Sequence, residues 1–296
     1  MSSFKHDLLI HERTQAQIEA FLYHPTHALL ITGKAGSGKP TLARQTATSL
    51  LGIQSTNLAS YPYYLHLEVP EAKQEIPIDD IRQLIEKLKL KTPGQRGVRR
   101  VVTIEEAQTM SSEGQNALLK TLEEPADDTV FVLTASSAKH LAPTIVSRTQ
   151  EVTSLPVSLA DAQAYYKDQF KTEDIASSWA LSGGAPGLLS NLLNIDSDHP
   201  LKIAVDDFKA YIAKNSYNRL LETERLAKDK AYLAYFLDAG GRVLRALQQS
   251  SVKSGQSTRA KSLGLARKHI ILLQEQLRLN ANPRLVAMTL ALNLKV

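Results

Sequence analysis

Cysteine is absent from all 296 positions. That excludes disulfide bonds and any zinc site built on thiolates, and it fits a reducing, cytoplasmic setting as the expected location. Long apolar runs are missing as well. No stretch approaches the roughly 20 residues needed to cross a bilayer, so no membrane partner is expected. The opening segment MSSFKHDLLIHERTQ is charged throughout and lacks the apolar run of a secretory signal. Aromatic residues are few, and they do not interleave with the basic ones, so a stacking platform for single-stranded nucleic acid is not suggested. Internal repeats and long low-complexity segments are also lacking.

What is there is ordinary globular composition, 43% hydrophobic and 22% charged, in a chain long enough for two or three domains. The net charge of +5 is uneven. Leu201 to Val296 carries 17 Lys+Arg against 7 Asp+Glu, whereas the first 200 residues are net acidic. A basic C-terminal third suits a nucleic acid, an acidic protein partner or simply a solvated helical surface, and composition leaves all three open.

The first half alternates short β-branched runs with amphipathic stretches, which predicts helices packed on a mostly parallel sheet. Strands are expected at His27–Thr32, Arg100–Ile104 and Val130–Thr134, each continuously apolar as buried parallel strands are. Helices are expected from Pro40 or Thr41 to Leu51, stopped by Gly52, from Pro77 to Leu90, and from Ser111-Ser112, where Ser112 and Gln115 have capping-box spacing, to just before Pro125. Beyond about residue 155 the strand signal ends. Short helices surround the turn Gly183-Gly184-Ala185-Pro186-Gly187, Asn194–Pro200 reads as a polar hinge, and the rest is helical, broken at Gln249–Ser257. The expected organisation is an α/β domain over residues 1–154, a small helical domain over 155–197 and an all-helical domain over 198–296.

Two motifs carry chemistry. GKAGSGKPT, residues 33 to 41, follows the first strand and opens a helix, the context a phosphate-binding loop requires. Gly33, Gly36, Ser37 and Gly38 let the backbone curl round phosphate oxygens, the helix N-terminus supplies free N–H groups, and Lys39 reaches the phosphates as a point charge. Position 40, where a serine or threonine would hold Mg²⁺, is proline. Pro40 is tolerated in the first turn of a helix, but it has neither hydroxyl nor N–H. Loss of one hydrogen bond to a charged group, about 1.5–3 kcal/mol, weakens nucleotide binding at least about tenfold. Thr41 lies roughly 100° further round the helix and does not replace the hydroxyl. The second motif, RRVVTIEEAQ, is a buried strand ending in Glu105 and Glu106. In phosphate-loop proteins the first acid supports Mg²⁺ and the second orients the attacking water. His66 on its own is no metal site.

The stretch Asn116–Gln150, NALLKTLEEPADDTVFVLTASSAKHLAPTIVSRTQ, together with the preceding Glu105-Glu106-Ala107-Gln108, resembles the AAA+ subunits of bacterial sliding-clamp loaders, the gamma and delta-prime types of DNA polymerase III. PIDDIRQLIEKL and, more weakly, ANPRLVAMTLALNL are similar too. The resemblance implies an AAA+ P-loop domain, a helical lid and an all-α collar. It implies that Thr134 is the polar sensor of the γ-phosphate region. It implies that Arg148 of Ser147-Arg148-Thr149 is an arginine finger inserted into a neighbour's ATP site, a role suited to a permanent, forked charge. It further implies gamma/tau-type and delta-type subunits as partners, with the sliding clamp and primed DNA met through the assembly.

Three departures lean towards the delta-prime branch and away from the motor. The four cysteines of the family's zinc module are missing, Ser182–Gly187 shows no second-domain sensor arginine, and Pro40 stands at the metal position. The expected cofactor is therefore weakly bound ATP or ADP, with Mg²⁺ coordination impaired, no zinc, and intrinsic ATPase weak or absent. The alternatives are an active gamma/tau-type ATPase, an AAA+ ATPase of another DNA pathway, and a nucleic-acid-binding protein using the basic third and the run Lys87, Lys89, Lys91, Arg96, Arg99 and Arg100.

Overall fold

The protein is described by a computed structural model covering residues 8–70, 73–95, 97–194 and 199–295. The expected hinge and the domain boundary at 197/198 fall largely on residues 195–198, outside the described residues. In order, the chain forms α1 (Glu12–Tyr23), β1 (Ala28–Thr32), α2 (Lys39–Leu51), β2 (Tyr64–Leu67), α3 (Ile78–Leu88), β3 (Arg100–Ile104), α4 (Ser112–Glu123), β4 (Thr129–Ala135), α5 (Pro143–Val146) and β5 (Gln150–Thr153). Helices follow to the end: α6 (Leu159–Tyr166), α7 (Thr172–Ser182), α8 (Pro186–Leu193), α9 (Pro200–Ile212), α10 (Ser216–Leu221), α11 (Thr223–Ala227), α12 (Lys230–Lys253), α13 (Ser257–Arg278) and α14 (Pro283–Asn293).

The strands form one sheet in the order β2-β3-β4-β1-β5, and every pairing is parallel. The three central strands are buried at every residue, because helices cover both faces. Ile18, Phe21, Leu42, Ala43 and Ala47 of α1 and α2 pack with Leu29, Ile31 and Val132 on one face. Ile81, Leu84, Leu118, Leu122 and Ile145 of α3, α4 and α5 pack with Leu30, Val102, Ile104 and Phe131 on the other. Each such fully buried side chain contributes about 1.5–3 kcal/mol relative to exposure. The order places β1 between β4 and β5, so the loop leaving β1 opens at the C-terminal edge where the topology switches direction.

The structure adds and corrects details. β2 and β5 carry no clear sequence signal, for both are edge strands with residues only partly buried. The cap of α4 is Ser111, not Ser112: its hydroxyl accepts from the Gly114 N–H. Helix α3 ends at Leu88 and not at Leu90, because the buried Arg100 guanidinium donates to the carbonyls of Leu88 (2.8 Å) and Leu90. Helix α12 runs through Gln249 to Lys253, so the expected break shrinks to residues 254–256.

The chain divides into two compact units. One runs up to Tyr165 and includes Ala185–Leu188; the other comprises Tyr166–Gly184 and the chain from Leu189 on. Residues 155–197 are thus shared between the units. In the second unit, Phe208, Tyr211 and Phe236 pack ring on ring, with centroids 5.2–6.2 Å apart. Gly240 allows this packing, since a Cβ there would lie 2.5 Å from the Phe208 ring. Arg219 is buried and donates to the carbonyls of Tyr211 (3.2 Å), Ile212 (2.7 Å) and Leu294 (2.6 Å), closing the end of α9 and fastening the residue after α14.

Nearby, Glu222 accepts from Lys214 Nζ at 2.5 Å and from Arg225 Nε at 2.7 Å. The Lys214 hydrogen bond, followed by that of Arg225 against an opposing desolvation, holds the Glu222 carboxyl below its ordinary value. A depressed folded pKa gives stability that is complete above the unfolded pKa and disappears as pH falls through the folded one. The gap in unfolding midpoint between wild type and Glu222→Gln should therefore be open near neutral pH and narrow as pH falls below the ordinary carboxylate range, as read by urea melts of the full chain.

Candidate functional site

The loop after β1 has the backbone of a phosphate seat. Gly36 and Gly38 adopt left-handed conformations (φ 79° and 81°), and Gly38 is the N-cap of α2, which Lys39 and Pro40 open. Glycine is the residue that adopts this geometry freely. The loop is held from two sides. Ser154 Oγ, just past β5, donates to Ser37 O at 2.9 Å, and the Leu188 N–H donates to Gly36 O at 2.8 Å. A Cβ on Gly187 would lie 3.1 Å from Gly36 O and from the Gly38 backbone. The turn lacking an arginine is therefore also one that cannot bear a side chain at 187 without shifting the loop.

Lys39 is buried, with its amine donating to Lys34 O at 3.4 Å and lying 3.5 Å from Glu106 Oε1. Ser37 Oγ is buried and has no hydrogen-bond partner among the described residues, the kind of orphan that a bound polar guest would satisfy. Left-handed glycines, a helix N-terminus and a converging amine fit a phosphate group. They do not fit the magnesium that accompanies it in active enzymes. Pro40 offers no oxygen from its side chain, Thr41 is exposed to solvent, and the Glu105 carboxylate is engaged elsewhere.

The two acids part company at the end of β3. Val101, Thr103 and Glu105 alternate onto the face covered by α2, and Glu105 Oε1 pairs with Arg44 Nη2 of that helix at 3.1 Å. Glu106 has a left-handed backbone (φ 50°), unusual for a residue with a side chain, and this turns its carboxylate to Lys39. Thr134 in β4 fixes that turn: the Glu106 N–H donates to Thr134 Oγ1 at 3.0 Å. Gln108 Nε2 donates to the Glu106 carboxylate, while Gln108 Oε1 accepts from the Ser136 N–H at 3.3 Å. Thr134 is itself buried. Lys39, Glu106 and Thr134 thus form one connected group, and Glu105 stands outside it.

Arg148 follows α5 at the start of β5, with its side chain one-third exposed. Nη2 pairs with Glu123 Oε1 at the end of α4 (2.7 Å), and Nη1 donates to Thr144 O (2.9 Å) and Ser147 Oγ (3.2 Å). The structure gives Arg148 no contact with the chain's own phosphate loop. Of the basic run from Lys87 to Arg100, Arg100 is buried among carbonyls, Arg99 pairs with Asp128 at 2.9 Å and Lys89 with Glu86 at 2.6 Å, while Arg96 lies outside the described residues. That run is no free basic strip.

Glu123, Gln108, and the group of His66 and Glu68 beside Glu105 escape a reading of the sequence alone. Only the last had a signal: alternate residues on two neighbouring strands, visible once YLHLE is recognised as a strand.

A parallel five-stranded sheet in this order, with a phosphate loop after β1 and an acid pair after β3, defines a P-loop protein of the AAA+ kind. Residues 14–157 match the family described as "DNA polymerase III, delta subunit". The chain is 36% identical to the DNA polymerase III subunit delta' of Pseudomonas aeruginosa, over 54% of this chain and 53% of that one. It is 28% identical to the delta' subunit of Haemophilus influenzae, over 71% and 69%. Among solved structures, a DNA polymerase III gamma-subunit-related protein of Thermotoga maritima shares the fold with a TM-score of 0.57 at 18% identity, covering 95% of this chain and 97% of that one. Residues 14–157 therefore resemble the DNA polymerase III clamp-loader subunits, and the two relatives named are both delta' subunits. The match spans about half the length of the Pseudomonas relative.

Thr134→Val should leave the Glu106 N–H without its acceptor and cost about 1–3 kcal/mol in stability. Thr134→Ser, which keeps the oxygen, should retain most of it; chemical unfolding of the three proteins checks both.

Proposed function

We propose that this chain is a delta-prime-like, non-motor subunit of a DNA polymerase III clamp loader. In this reading it joins gamma/tau-type and delta-type subunits in a ring that loads the sliding clamp on primed DNA. It presents Arg148 to a neighbour's ATP and turns over little or none of its own. The observation that carries the reading is the combination in one domain of a phosphate loop without a metal-holding side chain and an arginine directed away from that loop. The first leaves the chain able to receive the phosphates of ATP or ADP weakly, through Gly33, Gly36, Ser37, Gly38 and Lys39, with neither Thr41 nor Glu105 holding a magnesium. The second supplies a fork of charge of the sort worth about 10³–10⁵ in rate when inserted in trans.

In this scheme Glu106 is the vestige of the base, neutralised by Lys39. Thr134 acts on phosphate chemistry only through the position it gives Glu106. The Arg148–Glu123 pair keeps the guanidinium extended at the edge of α5 until a phosphate of the neighbouring subunit replaces the carboxylate. A half-exposed ion pair of this kind contributes little to stability, so exchanging it for a phosphate contact is cheap.

Reconstitution with gamma-type and delta subunits tests the proposal. Arg148→Ala should lower the DNA-dependent ATPase of the assembly by at least about tenfold, whereas Lys39→Ala should leave it near wild type, and the isolated chain should release essentially no phosphate. Glu123→Gln should preserve assembly ATPase or raise it. A silent Arg148→Ala beside a dead Lys39→Ala, or brisk turnover by the chain alone, would sink the reading in favour of an active motor.

A further inference from the structure

Two carboxylates meet one imidazole nitrogen at the exposed corner where β2 and β3 end. His66 in β2 and Thr103 in β3 are register partners, and Glu68 and Glu105 each lie two residues further along, on the same face. His66 Nε2 is 3.4 Å from Glu68 Oε2 and 3.8 Å from Glu105 Oε1, and the three ligand atoms lie within 4.8 Å of one another. The far side of the ring is fixed. His66 Nδ1 sits 2.8 Å from Thr103 Oγ1, whose own hydroxyl donates to Tyr64 Oη at 2.8 Å. With the Thr103 proton given to Tyr64, Thr103 Oγ1 is placed to accept from Nδ1–H, and Nε2 faces the two carboxylates. One imidazole nitrogen and two carboxylate oxygens thus converge on one small gap.

We propose that His66, Glu68 and Glu105 form a binding site for a divalent first-row transition-metal ion of the zinc type. The donor set, one imidazole nitrogen and two carboxylate oxygens, suits zinc and its neighbours and not magnesium, which prefers oxygen alone in strict octahedral order. Metal–ligand distances of about 2.0–2.2 Å put neighbouring ligand atoms of a tetrahedral site about 3.3–3.6 Å apart. The His66–Glu68 separation already matches, and the His66–Glu105 separation needs only a small rotation. The Thr103 contact orients the ring from outside, as partners of metal-bound histidines do. Glu68 is well exposed, so the remaining positions open to water. The positive charge now facing Glu105 is Arg44, whose side chain is more than half exposed and free to swing away. Neither a nucleotide nor a partner subunit is required, and the outcome is independent of the clamp-loader reading.

Zinc and cobalt titrations of the purified full chain, by calorimetry and by the visible absorption of bound Co²⁺, test the site with Mg²⁺ as competitor. One equivalent should bind per chain, with the Co²⁺ bands of a nitrogen–oxygen site and no displacement by millimolar-range Mg²⁺. Glu68→Gln, at an exposed position that leaves folding intact, should weaken binding at least about tenfold, and His66→Gln should abolish the bands. Thr103→Val should weaken binding by about 10–100-fold with the stoichiometry unchanged. Arg44→Ala, which removes a competing cation, should tighten it severalfold. Binding unaffected by both His66→Gln and Glu68→Gln would show attachment to other surface histidines and overturn the proposal. So would the absence of binding.

Discussion

A single backbone hydrogen bond governs the arrangement at the edge of the sheet: the Glu106 N–H donating to the Thr134 hydroxyl. It joins the end of β3 to the neighbouring strand β4 at the residue that has left extended geometry for a left-handed turn. Such a turn costs a residue with a side chain of order 1–3 kcal/mol and persists only where its surroundings impose it. Here the imposing groups are Thr134, the Gln108 amide and the Lys39 amine. Their effect is to separate two adjacent acids. Glu106 is drawn to the phosphate loop, while Glu105 keeps the strand's alternation and faces Arg44 and His66.

That separation changes the meaning of the acid pair. Read as a linear motif, Glu105-Glu106 is the magnesium-supporting acid followed by the base. In space, the acid assigned to magnesium contacts a guanidinium and an imidazole. The acid assigned to water lies 3.5 Å from the amine of the loop lysine, Lys39. Both displacements agree with Pro40. Pro40 offers the loop no side-chain oxygen, and the Glu105 carboxylate lies against Arg44 and His66.

How much of this was legible follows from burial. The strands β1, β3 and β4 and the loop after β1 announce themselves because a buried parallel strand must be apolar throughout and a phosphate loop needs glycine at fixed places. The edge strands β2 and β5 do not, since each is covered incompletely and mixes His, Gln, Glu and Thr with apolar residues. Missing β2 hides its consequence as well: His66 looks solitary until pairing with β3 brings Glu105 within 4 Å. The end of α3 was misread for a related reason, because its stop is a tertiary contact from Arg100, ten or more residues downstream, and not a local cap. Pairwise chemistry such as Arg148 with Glu123 lies on separate elements and has no linear signature at all.

The shape of the phosphate loop has a physical cause that needs no nucleotide. The loop is part of the packing. Ser154 holds it from β5, the Leu188 N–H caps Gly36, and Gly187 lies against Gly38 with no room for a side chain. Glycine is therefore favoured at 36 by the Leu188 side chain, 2.7 Å from a would-be Cβ, and at 36 and 38 by left-handed backbone, whether or not phosphate binds. Proline at 40 is tolerated because the first turn of a helix has no intrahelical partner for its N–H. Loss of the hydroxyl costs the fold nothing, whereas loss of a glycine would disturb the loop, β5 and the turn before α8 together. The loop's backbone is thus held by packing that does not involve the side chain at position 40.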